Sequence, residues 1–231
     1  MISLLQRTAV LSSAIAVLAL ASPSHAETRQ DEQVWIQFVA QGPVAGKVVY
    51  LAELQPRYGS NAAGLSQMVI RGAAGLRISD SVTIYQGYAY VRTPAAGRDD
   101  TREKRSFQQI SWSLGQPGGV ALTSRTRLEQ RWFSTGDEVG WRLREMVRAA
   151  VPLKAGGKVK LIGSVEVFVA LDDTDWGARS GIDRVRGFAG IELPVSGKST
   201  IELGYLNQYV NGANGRDQMD HVAAINLMLR Q

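Results

Sequence analysis

Cysteine is missing from all 231 residues, so the chain has neither disulfides nor a thiolate metal site to draw on. Histidine occurs only at His25 and His221, which leaves imidazole chemistry a single candidate past the first 26 residues. No charge of one sign is concentrated. The net charge is +5, and the basic residues are scattered instead of forming the stripe that a nucleic-acid binder needs, so nucleic acid is not an expected partner. Long apolar runs are missing too. After residue 26 no stretch of even about 12 residues is free of polar or charged side chains, and no membrane helix is expected. Phosphate-cradling glycine loops and metal-ligand spacings do not occur, and neither cofactor nor metal is expected.

What is present begins with a leader. Residues 1–26 carry one charge, Arg7, then an apolar stretch over 9–21 and a small-residue end at Ser24-His25-Ala26. That is the pattern of a secretory signal peptide, with cleavage expected between Ala26 and Glu27. Residues 27–231 then form one domain, because no Pro-rich or low-complexity linker divides them.

From residue 34 onward the chain breaks into period-2 segments separated by Gly, Asp, Asn, Pro and Ser clusters, with almost no helical spacing. Eleven candidate strands emerge, at 34–40, 47–58, 66–77, 82–93, 104–114, 120–133, 138–151, 158–171, 182–193, 199–209 and 221–230. Most are longer than a soluble strand and suit a tilted bilayer crossing. The clearest is 158–171. One face reads Val159, Leu161, Gly163, Val165, Val167, Val169, Leu171, and the other carries Lys158, Lys160, Ser164 and Glu166. Alternation alone does not say which face is wet.

Short links, such as 42–46 and 194–197, alternate with mostly longer ones, such as 94–103 and 172–181. Aromatics gather near segment ends, among them Trp35, Trp112, Trp132, Trp141 and Trp176. Both features fit an all-β, antiparallel up-and-down transmembrane β-barrel of 10 to 12 strands, exported to the outer membrane of a Gram-negative cell. An even strand number is expected of such barrels, and eleven is odd. With the C-terminus on the periplasmic side, segment 34–40 has to descend from outside, so it is expected to be short or inserted.

Charge phase supplies candidate lumen residues. Arg125, Arg127, Glu129 and Arg131 share one face of their segment, and Arg142, Arg144 and Arg148 share one face of the next. An Arg facing lipid at the midplane costs about 2 to 4 kcal/mol, so these residues belong inside. A four-residue loop at 134–137 puts Glu129 opposite Arg142 and Arg127 opposite Arg144. Closing the next turn with Val151 facing Gly157 puts Arg142 opposite Glu166, and a loop centred on Trp176 puts Glu166 opposite Arg186 and Lys160 opposite Glu192. With Arg184, these residues form the expected lumen ladder. Glu145 falls on the presumed lipid face and runs against this picture unless it sits at a rim.

The stretches Ser124-Arg125-Thr126-Arg127-Leu128-Glu129-Gln130-Arg131-Trp132, Gly140-Trp141-Arg142-Leu143-Arg144, Glu166-Val167-Phe168 and Asp172-Asp173-Thr174-Asp175-Trp176 resemble the bacterial domain-of-unknown-function family 2490. The Trp35 segment and Gln86-Gly87-Tyr88-Ala89-Tyr90 are similar to it as well. Members are taken to be outer-membrane β-barrels, so the resemblance implies architecture and no activity. It also implies the barrel assembly machinery and outer-membrane lipid as partners. Barrels of this class usually end on an aromatic, whereas Gln231 stands in that place here.

Three functional classes follow. The first is a porin-like narrow channel for small anions, or a structural barrel with a charge-paired lumen, and in either case not an enzyme. The second is a soluble periplasmic β-protein that binds a ligand in its core. The third is a lipid-modifying enzyme with His221 as its base, disfavoured because the phase of His221 points it toward lipid. Asp172, Asp173 and Asp175 lack the Gly and distal Glu of a calcium loop and are expected to be solvated. Gly87, Gly163 and Gly204 are expected at bends or close-packed positions.

Overall fold

The computed structural model describes residues 28–59, 61–212 and 216–231. The expected signal peptide and its cleavage site at Ala26 and Glu27 lie outside them. Among the described residues, eleven strands form: β1 (Arg29–Ala45), β2 (Val48–Gly59), β3 (Gly64–Arg77), β4 (Val82–Thr93), β5 (Thr101–Gly115), β6 (Ala121–Phe133), β7 (Val139–Pro152), β8 (Lys160–Ala170), β9 (Gly181–Ser196), β10 (Ser199–Val210) and β11 (Gln218–Arg230). Each strand grows from a period-2 segment, and turn-forming residues end it. The links between β1 and β2 and between β9 and β10 are two-residue hairpins, where Gly46 and Gly197 take φ of 54° and 57°, a left-handed conformation that glycine adopts without steric cost.

The strands close into one barrel in chain order, all neighbours antiparallel except the seam. There β1 pairs with β11 in parallel, from Arg29 beside Gln218 to Gln41 beside Arg230. The parallel seam is a topological necessity. Direction alternates around an antiparallel wall, so closing an odd number of strands brings two of the same direction together. The first segment does run in the same direction as the last, but it is neither short nor inserted, since β1 with 17 residues is the longest of the described strands. The hydrogen-bonding edges of β1 and β11 would otherwise stay open, and pairing over most of β1 closes them.

Around the wall, one face of each strand turns out and carries exposed apolar side chains, including Leu54, Ile70, Ile84, Ile110, Leu143, Val165 and Leu203. The Val ribbon of β8 belongs to this face, while Glu166 and Phe168 point in and are buried. In that segment the charge is therefore inside and the aliphatic surface outside. Among the described residues no helix is long and apolar enough to cross a membrane, a statement that does not bear on crossing by strands.

Candidate functional site

The lumen is built from alternate residues of successive strands, so pairing register decides who meets whom. Across β6 and β7, Arg127 faces Arg144 and Glu129 faces Arg142. The like-charged pair is tolerated because Glu129 lies between the guanidiniums. It accepts from Arg142 Nη2 at 2.6 Å and Nε at 3.0 Å, and from Arg144 Nη1 at 2.7 Å, while Arg127 Nη1 stands 3.7 Å away. Glu129 and Arg127 are 1% and 2% exposed. Charge-assisted bonds of this kind are short and strong, but their formation has to offset the desolvation of both partners.

The register between β7 and β8 differs from the sequence expectation. Arg142 faces Ala170, and Glu166 faces Met146. Gly157 N–H donates to Lys154 O at 2.8 Å and Leu153 N–H to Val159 O at 3.0 Å, so the hairpin closes farther along β8 than a Val151 to Gly157 closure allows. The shift is an even number of residues and leaves every face unchanged. Charge continuity is carried by Arg144 instead, whose guanidinium bonds Glu129 on one side and Glu166 at 2.7 Å on the other. From β8 to β9 the expected pairs occur, Glu166 with Arg186 and Lys160 with Glu192. Glu166 also takes Arg125 at 2.7 Å, and Arg148 bridges Glu192 and Glu202 at 2.7 and 2.9 Å. A bulge in β9 lets Asp183 reach Arg142 at 3.0 Å, beside Arg184 at 3.1 Å.

The opposite wall adds groups that the sequence reading did not single out. Glu53 of β2 pairs with Arg71 of β3. Glu103 of β5 takes both Arg105 and Arg131 at 2.6 Å. Among the described residues Arg57 has no carboxylate in ion-pair reach and donates to Gln55 and to Gln67, the latter at 2.8 Å. The phase of each was readable, as Glu53, Gln55 and Arg57 alternate with Ala52, Leu54 and Pro56. Their partners were not, because these contacts cross between strands.

Three aromatic rings act as plates between guanidiniums. Trp35 holds Arg57 at 3.9 Å and Arg186 at 5.0 Å, Phe168 holds Arg144 at 4.4 Å and Arg186 at 4.6 Å, and Phe107 holds Arg127 at 4.5 Å and Arg71 at 5.8 Å. Such contacts are stronger when desolvated, and flat guanidiniums suit them. Gly87 lies opposite Phe107, and a Cβ there would collide with the ring. Gly204 is equally crowded, by Phe188 and the β9 backbone, whereas a Cβ at Gly163 would meet only Phe188 O at 3.6 Å. Gly163 is therefore not a close-packing position.

A cavity of about 650 Å³ remains beside this network. Its lining runs from Asp80, Ser81 and Ser113 at the short-turn end to Thr93, Thr101 and Phe133 at the loop end. Arg125, Arg127, Arg131, Arg142, Arg144, Arg148, Glu166, Arg184 and Arg186 line it, whereas Glu129 is paired with Arg142 and Arg144 and Glu192 with Arg148 and the part-exposed Lys160.

Over the loop end, Trp176 stacks on Phe133 with ring centroids 4.3 Å apart and donates to Glu138 O at 2.8 Å. Arg131 lies 5.1 Å from both rings. The acidic residues of this loop are not merely solvated. Asp175 accepts from Asp137 N–H at 2.8 Å, Asp172 from Trp141 N–H at 2.9 Å, and Asp173 from Ser180 N–H at 2.7 Å. They cap backbone donors and tie two loops together. The Ser180 bonds hold the Asp173 carboxyl below its ordinary value.

The outward face also carries polar groups, a ladder of Gln86, Gln108 and Gln130 among them. His221 sits between Glu32 and Asn207 in register, and its Nδ1 lies 2.6 Å from the Tyr205 hydroxyl. Glu145 is not at a rim. It lies mid-strand, where Ser124 and Thr126 hydroxyls donate to its carboxylate at 2.5 Å each.

Comparison with known proteins identifies the fold's relatives. An uncharacterized protein of Methylorubrum extorquens (strain AM1) is 47% identical over 229 residues, covering 98% of this chain and 100% of that one. No solved structure matches the chain. Residues 32–220, most of the closed barrel, match the family described as a protein of unknown function (DUF2490), and the chain belongs to this family.

Proposed function

We propose that the protein is an outer-membrane β-barrel that acts as a narrow passive channel for small anionic solutes. Its lateral partner is outer-membrane lipid, and the barrel assembly machinery inserts it. The outward apolar face supports this location, since a barrel in water would bury its aliphatic side and expose its charges. Strand length supports it as well. A 13-residue strand such as β6 is about 43 Å long and, tilted by about 40°, rises about 33 Å, close to the hydrocarbon thickness of a bilayer.

The observation that carries the reading is the cavity lined by residues of both barrel ends, with arginines along its length. Fixed positive charge lowers the entry barrier for anions and raises it for cations. Planar-bilayer conductance tests this, with reversal potential as the readout. The reading requires anion selectivity, reduced in Arg148→Ser. Arg148 suits the test because its loss leaves Glu192 with Lys160 and Glu202 with Asn226. Unselective or absent conductance would sink it.

The buried cluster around Glu129 favours a second reading, a structural barrel whose lumen is closed by paired charges. Absent conductance from a correctly inserted barrel would establish that alternative.

A further inference from the structure

Among the described residues, the buried side-chain polar atoms that make no hydrogen bond are three guanidinium nitrogens: Arg71 Nε, Arg125 Nε and Arg127 Nη1. They come from β3 and β6, which two strands separate around the wall. The Phe107 ring carries Arg71 and Arg127, Arg125 lies two residues from Arg127 on the same face of β6, and all three line the cavity. Arg71 and Arg127 are more than nine-tenths buried.

The carboxylates nearby are already committed. Glu53 is taken by Arg71, Glu166 by Arg125, Arg144 and Arg186, and Glu129 by Arg142 and Arg144, which leaves Arg127 Nη1 3.7 Å from it, beyond hydrogen-bond reach. Glu129 and Glu166 each serve three bases, so positive charge is left over where water is scarce. A buried donor without an acceptor is costly, and unbalanced buried charge more so.

We propose that Arg71, Arg125 and Arg127 form a binding site for a small oxyanion inside the lumen. A tetrahedral phosphate or sulfate presents oxygens in several directions and accepts from three guanidiniums at once, whereas chloride offers no such directed set. This site rests on the reading of the lumen as a path that small anions enter. It adds a place where they pause, and Arg127, the most buried of the three, anchors it.

The test is a thermal melt of the purified protein in detergent, followed by tryptophan fluorescence, with phosphate or sulfate replacing chloride at constant ionic strength. Phosphate is expected to raise the midpoint by roughly 5 °C at saturation. The shift disappears in Arg127→Gln and persists in Arg230→Gln, which lines the same cavity outside the cluster. If Arg127→Gln fails to fold, Arg125→Lys keeps a charge, removes the Nε donor and is expected to weaken the phosphate response at least several-fold. Equal shifts in phosphate, sulfate and chloride overturn the site, as does an unchanged response in the folded cluster variants. Conductance separates the two proposals. Phosphate-specific stabilisation without conductance keeps the site and removes the channel, whereas anion-selective conductance with phosphate-insensitive melting does the reverse.

Discussion

Glu129 and Arg142 face each other across β6 and β7, with Oε2 of the acid 2.6 Å from Nη2 of the base and both side chains at most 2% exposed. The same carboxylate serves Arg144 at 2.7 Å, so its removal leaves two buried guanidiniums short of a counter-charge. Glu129→Gln is expected to cost about 3 to 5 kcal/mol, read as a lower urea midpoint, because breaking a buried pair leaves its partner uncompensated. A change below about 1 kcal/mol would mean that water reaches the network freely.

The seam is open to direct chemistry because the chain has no native cysteine. Ile36 and Ile225 are register partners in the parallel pair and face outward. In the double variant Ile36→Cys, Ile225→Cys, oxidation should form a cross-link, seen as altered mobility in non-reducing gels. A pair offset along the seam, Ile36→Cys with Leu229→Cys, should not, since partners more than about 7 Å apart cannot bridge. Preferential linking of the offset pair would break the assigned register.

Gly87 and Gly163 make a matched comparison. At Gly87 a methyl group meets the Phe107 ring and Ala73 Cβ at 2.8 Å, and Phe107 is held in turn by two arginines. Gly87→Ala is expected to destabilise the barrel by about 1 to 3 kcal/mol through overpacking. Gly163→Ala meets ordinary contact and should stay within about 0.5 kcal/mol of the parent in the same denaturant series.

Glu145 reports on the surroundings of the outer wall. It sits mid-strand on the outward face, where Ser124 and Thr126 donate to its carboxylate. In lipid, Glu145→Leu should raise the unfolding midpoint, since it removes a charge from the hydrocarbon face. In a water-facing barrel the same change would enlarge an exposed apolar patch, and the visible outcome would be lower solubility without detergent.

The charge ladder was legible through parity alone. Arg125, Arg127, Glu129 and Arg131 share a face whatever the fold, because side-chain alternation is a property of the extended backbone. The four-residue loop after Phe133 then placed Glu129 beside Arg142. The turn at 153–159 was less readable. Its internal hydrogen bond at Lys154 moved the β7 and β8 register, yet Arg144 still reached Glu166, because a long guanidinium side chain spans more than one register position.

By itself the sequence bounded the number of strands at 10 to 12, placed most of them approximately, and fixed the membership of each face and the shared direction of the first and last segments. These depend on contacts between neighbours in the chain. Only the tertiary structure decided that the aliphatic ribbons turn outward, that β1 closes on β11 along most of its length, and that Arg71 of β3 meets Arg127 of β6 over one phenylalanine ring. Those outcomes follow from curvature and closure, which bring together residues dozens of positions apart and leave no periodic trace in the chain.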